Sequence, residues 1–112
     1  MTSEMFVSAV RSSGDLAGVF EYTDLTGYFY LYDQTREKDG IRTAVHILSG
    51  DPDFDETDIE VLWSPNEEVV GLFIRGRLWA ACRGEKAFGG DYRRDGQPRV
   101  PEAIAAFFTR PP

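Results

Sequence analysis

Tyr28-Phe29-Tyr30-Leu31-Tyr32-Asp33 is the stretch on which the fold class turns. Successive side chains of a strand point to opposite faces, so Tyr28, Tyr30 and Tyr32 share one face while Phe29 and Leu31 share the other. Aromatic residues fit the pleated, half-buried surface of a sheet. The Phe/Leu face belongs in a core. The tyrosine face is half-polar, as on a sheet surface that is partly covered or that receives a ligand.

Outward from this strand, turn residues punctuate the chain at the short intervals of an antiparallel meander. Met5 to Val10 and Gly18 to Tyr22 read as strands on its N-terminal side, and Thr43 to Ser49 as one on its C-terminal side. Ile59 to Trp63, Val69 to Ile74 and Leu78 to Cys82 form a three-stranded meander, with Arg75-Gly76 as a two-residue hairpin loop. The span 84–99 is rich in glycine and charge and reads as loop. Pro101 to Phe108 then reads as a short helix: proline suits the first turn, Glu102 complements the positive end of the helix dipole, and Pro111 stops it. Ile104, Phe107 and Phe108 fall at i, i+3 and i+4, so the helix has an apolar face with which to seal one edge or face of the sheet. The expected fold is a β-rich α+β domain over residues 1–112. It has a six- or seven-stranded, mainly antiparallel meander sheet, curled or barrel-like around Phe29, Leu31, Val61, Trp63, Leu72 and Ile74, with the C-terminal helix packed on it.

Composition agrees with one folded domain. The chain has 112 residues, 42% of them hydrophobic and 13% aromatic, whereas disordered segments are poor in aromatics. The single cysteine, Cys82, rules out an intrachain disulfide and a cysteine-rich metal site. A lone thiol fits a reducing cytoplasm. Met1 to Phe6 has neither the basic nor the long apolar region of a signal peptide, and no apolar run approaches the roughly 20 residues that cross a membrane. A cytoplasmic protein without a membrane partner is expected.

The net charge of −7 is unevenly spread: residues 1–60 carry −9 and residues 61–112 carry +2. Phosphate backbones repel an acidic chain, so nucleic acid is not an expected partner. The polarity instead suits head-to-tail self-association into a homo-oligomer, or steering of a charged protein partner. Asp51, Asp53, Asp55, Glu56 and Asp58, followed by Glu60, concentrate the negative charge just before Ile59 to Trp63. These acids form a candidate patch for a basic partner.

Phe20-Glu21 leading into Thr26-Gly27-Tyr28-Phe29-Tyr30, then Ala44-Val45-His46-Ile47, then Ile59-Glu60-Val61-Leu62-Trp63-Ser64 followed by Val69 to Ile74, resembles a bacterial family known as domain of unknown function 2251. The resemblance covers roughly residues 19–82. It implies a shared sheet and carries no established activity, cofactor or partner to this chain.

Chemistry-bearing residues are sparse. Asp51, Asp53 and Asp55 take the first three ligand positions of an EF-hand loop, but the glycine required at the sixth is Glu56 and the bidentate glutamate required at the twelfth is Leu62. One histidine, His46, and one cysteine cannot complete a four-ligand transition-metal site, so neither metal nor cofactor is expected. Cys82 with His46 as base is the sharpest enzyme arrangement the sequence allows, but cysteine at a strand end usually serves as a small buried hydrophobe. Glu21 and Glu60 sit within strands, with nothing to show that they meet. Gly84, Gly89, Gly90 and Gly96 match neither a phosphate-binding loop nor a dinucleotide fingerprint.

The tyrosine face is the strongest surface candidate, formed by Tyr28, Tyr30 and Tyr32 and joined by Tyr22 from the neighbouring strand; the plainer alternative is a cross-strand stack covered by the C-terminal helix. Tyrosine offers large contact area at low entropic cost and is enriched in interfaces. RNA-binding sheets flank such aromatics with basic charge, which residues 18–35 lack. A non-catalytic protein-interaction domain is therefore expected, of the immunity or inhibitor kind. The alternative is a small-molecule or weakly catalytic pocket at His46, Tyr30 and Trp79, with Cys82 nearby.

Overall fold

The computed structural model describes residues 4–94 and 96–108. Met1, Thr2 and Ser3 and the expected helix stop at Pro111 lie outside them. Strands β1 (Met5–Val10), β2 (Leu16–Thr23), β3 (Thr26–Asp33) and β4 (Ile41–Ser49) form one antiparallel sheet in that order. Strands β5 (Ile59–Trp63), β6 (Val70–Ile74), β7 (Arg77–Arg83) and β8 (Lys86–Gly89) form a second, likewise in chain order. The β-rich α+β class holds, and so does the β5–β7 meander with its Arg75-Gly76 loop. The expected single curled or barrel-like sheet does not form, and the described strands number eight rather than six or seven.

Two sheets arise because the chain changes sides after β4. Residues 50–58 leave that edge and deliver β5 beside β1, at the opposite edge of the first sheet. Phe54 pins the crossing: it is buried, with its ring 6.3 Å from Phe20 and 5.0 Å from Tyr92. β1 and β5 are neighbours without a strand ladder, so no barrel closes. They are tied by the indole N–H of Trp63, which donates to the Ala9 carbonyl at 2.9 Å, and by the Phe6 N–H, which donates to Glu56 Oε2 at 3.0 Å.

The core lies between the sheets. Phe20, Tyr22, Phe29, Leu31, Ile47 and Leu48 from the first meet Ile59, Val61, Val70, Leu72, Ile74 and Cys82 from the second. β8 is the strand hidden in the span read as loop. Its four residues pair with β7 through Ala80↔Gly89, Ala81↔Phe88, Cys82↔Ala87 and Arg83↔Lys86, a segment too short and too rich in glycine and lysine to alternate visibly.

The C-terminal helix is shorter than its apolar spacing predicts: α1 (Glu102–Ala105) tightens into a 3₁₀ turn at Ala106–Phe108. Ile104 is buried with Val69 and Ala81, and the Phe108 ring stands edge-on to Phe73 at 5.3 Å. The helix therefore roofs the outer face of the second sheet, and the tyrosine-bearing first sheet is left without that cover.

Candidate functional site

The register of the first sheet assembles its outer face. Tyr28 stands opposite Glu21 on β2 and His46 on β4, Tyr30 opposite Val19 and Ala44, and Tyr32 opposite Ala17 and Ile41. Phe6 and Val10 extend the same face onto β1, opposite Glu21 and Ala17. Tyr30 thus stands between the smaller Val19 and Ala44, whereas Tyr28 stands between a carboxylate and an imidazole. Five of the seven most exposed large hydrophobics among the described residues lie here: Phe6 at 58%, Val10 at 49%, Tyr28 at 45%, Tyr32 at 38% and Ile41 at 54%.

Within the face is an open hollow of about 340 Å³, walled by Tyr28, Tyr30 and Ile41, with Ala44, Glu21, Thr23 and Thr26 around it. Tyr30 Oη donates to Glu21 Oε1 at 2.8 Å. Burial first, and then the adjacent carboxylate, push the Tyr30 phenol well above its ordinary value, so it remains a neutral donor. At the rim, Thr23 Oγ1 donates to Glu4 Oε2 at 2.5 Å. On the other side the His46 ring meets Tyr28 edge-on at 5.4 Å. His46 Nε2 lies 3.0 Å from Ser49 Oγ, and Nδ1 lies 3.5 Å from Asp91 Oδ2. Backbone N–H donation from Arg94, opposed by desolvation and assisted by the Arg93 N–H, holds the Asp91 carboxyl below its usual range.

Tyr22 does not join this platform. It is buried between the sheets, and its Oη donates to the Gly50 carbonyl at 2.9 Å. The reason is its pairing with Gly27 across a two-residue turn, which puts it on the face of Phe29 rather than that of Tyr28. Counting outward from the Asp24-Leu25 turn would have revealed this. Phe6, Val10 and Ile41 are the residues sequence reasoning missed; β1 and β4 are apolar on both faces, and alternation cannot choose between two apolar faces.

The acidic segment is largely committed to its own fold. Asp55 accepts from the Thr57 N–H at 2.9 Å, and Asp58 Oδ2 accepts from the Asp55 N–H at 3.1 Å, closing a capping box on the 3₁₀ turn Glu56–Asp58. Arg75 lies 3.6 Å from Asp53 and 3.8 Å from Asp58, and Glu56 holds the β1 edge as described above. Asp51 is exposed and also has an interaction partner. Among the described residues no group of three or more His, Cys, Asp or Glu could hold a metal ion.

The alternative pocket is not assembled either. His46 is on the outer face of the first sheet, whereas Trp79 and Cys82 are buried between the sheets. Trp79 Nε1 donates to the Gly90 carbonyl at 3.1 Å, and its ring meets that of Tyr92 at a tilt of 56°, with centroids 4.7 Å apart. Burial pushes the Cys82 thiol up to about 12, which suppresses the thiolate a nucleophile requires. Tyr30 and His46 flank Tyr28 on one face but share no lining: the hollow at Tyr30 includes neither His46 nor Trp79.

No helix among the described residues is long and apolar enough to cross a membrane. No curated protein and no solved structure matches the chain. The match to a bacterial family extends well beyond the sheet, over residues 1–103, and with that coverage the chain belongs to the family described as uncharacterized protein conserved in bacteria, DUF2251.

Proposed function

We propose that this chain is a non-catalytic protein-interaction domain of the cytoplasm, acting in the manner of an immunity protein or inhibitor, which meets its partner through the outer face of the first sheet. The observation that supports this reading is an asymmetry of cover. One sheet is roofed by the C-terminal helix, while the other leaves Phe6, Val10, Tyr28, Tyr32 and Ile41 exposed in one patch. Burying such a patch is favourable by about 25 cal/mol per Å² of apolar surface, and tyrosines are frequent anchors in interfaces. The protonated, buried Cys82 and its separation from His46 count against catalysis at these residues.

Photo-crosslinking in bacterial cells tests it. Tyr32→p-benzoylphenylalanine places the probe on the proposed face, and Leu62→p-benzoylphenylalanine places it on an exposed site of the second sheet. A discrete heterologous adduct from position 32 and none from position 62 supports the reading. Equal labelling from both positions, or none from position 32, overturns it.

A further inference from the structure

Charge on the open face is one-sided. Its strand residues carry no lysine or arginine, and Glu21 supplies their one carboxylate, with Glu4 at the rim bound by Thr23. Elsewhere the buried and partly buried acids are satisfied. Asp15 pairs with Arg11, Asp33 with Arg36 and Arg42, Asp58 with Arg75, and Glu67 uses both oxygens on Ser12. Glu21 differs: it is partly buried and, among the described residues, has no cation within 4.0 Å and makes one hydrogen bond, from Tyr30 to Oε1. An ionised carboxylate has about four acceptor positions, so its second oxygen is available toward the hollow.

We infer that the hollow beside Tyr28 and Tyr30 is an anchor site for an arginine side chain presented by a basic segment of a protein partner; this rests on the reading of the face as an interface. Three features match a guanidinium. Its planar fork bonds a carboxylate such as Glu21, its cationic face stacks on a phenol ring such as Tyr28, and its apolar stem lies along Ile41 and Ala44. The hollow of about 340 Å³ admits such a side chain without rearrangement. The complementarity also extends to the molecule, whose net charge is −7 and whose residues 1–60 carry most of the negative excess. A field of that sign draws a basic segment toward the molecule, and residues 4–49, which hold the first sheet, share in it with seven acids against four bases.

The test is an NMR titration of the isotope-labelled full chain with acetyl-Gly-Leu-Arg-Leu-Gly-amide and with its citrulline counterpart, which has the same shape without the charge. The arginine peptide is expected to shift Glu21, Thr23, Tyr28, Tyr30 and Ala44, and to bind about tenfold more tightly than the citrulline peptide. Glu21→Gln, which keeps an acceptor for Tyr30, should remove that preference. Tyr28→Leu, which keeps bulk and loses the π face, should weaken the arginine peptide alone. Equal binding of both peptides at this face overturns the arginine anchor and leaves the interface standing. Shifts centred on residues 51–58, or no shifts on the face, overturn the anchor too, while crosslinking from position 32 decides the interface separately. A second copy as the occupant would appear as concentration-dependent dimerisation through this face without peptide, and would also overturn the inference.

Discussion

Trp63 and Ala9 join the two sheets: the indole N–H donates to the backbone carbonyl at 2.9 Å across the open corner of the sandwich. β1 is an edge strand, so carbonyls on its free side lack a ladder partner and need one from elsewhere. The guanidinium of Arg11 lies over the same indole, 5.7 Å from the ring centroid. Trp63→Phe keeps an aromatic ring and removes the donor, at a cost of about 1–2 kcal/mol. Urea unfolding monitored by circular dichroism checks this; an unchanged midpoint would mean that water replaces the indole without loss.

The β2–β3 turn carries removable strain. Asp24 and Leu25 both adopt left-handed backbone, with φ of 51° and 62°. The β6–β7 turn has the same geometry, but there glycine occupies the second position as Gly76, with φ of 80°. A side chain in this region costs about 1–2 kcal/mol, and glycine returns part of that through unfolded-state entropy. Leu25 is half-exposed, so little burial is lost on truncation. Leu25→Gly should therefore raise stability by about 0.5–1 kcal/mol, while Leu25→Ala, which keeps the strain, should change it by less than about 0.5 kcal/mol. Equal melting temperatures for the two variants would contradict the backbone explanation.

Except for β8, strand identity was legible because alternation is a local property: Phe29 and Leu31 turn inward and Tyr28 and Tyr32 outward, as the spacing dictates. Sheet membership was not legible. Nothing in the periodicity of Ile59, Val61 and Trp63 tells that their strand begins a new sheet, because that depends on where the 50–58 crossing delivers it. The acidic crossing itself misleads a reader of charge. Asp55 and Asp58 serve a capping box, and Asp53 and Asp58 meet Arg75, which comes from a turn 17 or more residues later. Of the candidate site, the tyrosine row could be read and its openness could not, since that followed from the helix choosing the other sheet. Glu21 was visible as a strand acid; its place beside Tyr30 required the β2–β3 register.

Gly18 sets the distance between the sheets. It faces inward from β2, and a Cβ there would stand about 3.0 Å from Val70 Cγ1 and 3.1 Å from Val61 Cγ1, closer still to Val70 Cγ2. Both valines are core residues with little room to retreat. Overpacking of this kind costs about 1–3 kcal/mol. Gly18→Ala should thus lower the urea midpoint by that amount. Adding Val70→Ala should recover part of the loss, because one substitution vacates the space the other fills. Purely additive losses in the double variant would place the cost of Gly18→Ala somewhere other than this contact.

Cys82 makes stability fall in alkali. Its thiol is buried between the sheets, and burial raises it from 9.0 to about 12. In the unfolded chain the thiol ionises near its ordinary value. Between these two values the unfolded state therefore holds fewer protons than the folded one, and stability drops as pH rises. The contribution is absent below about pH 9 and grows at up to about 1.4 kcal/mol per pH unit above it. The Tyr30 phenol, raised above 10.0, adds a similar slope at higher pH in every variant that retains it. Cys82→Ala should then flatten the difference in unfolding free energy between pH 8.5 and pH 10, whatever its effect at neutral pH; those two measuring points bracket the ordinary thiol value of about 9. The same burial predicts that iodoacetamide reacts with Cys82 only through opening of the sandwich, at a rate that rises with urea. A wild-type thiol alkylated at the rate of a free cysteine in native buffer would show the sulfur to be accessible, and the alkaline slope would vanish with it.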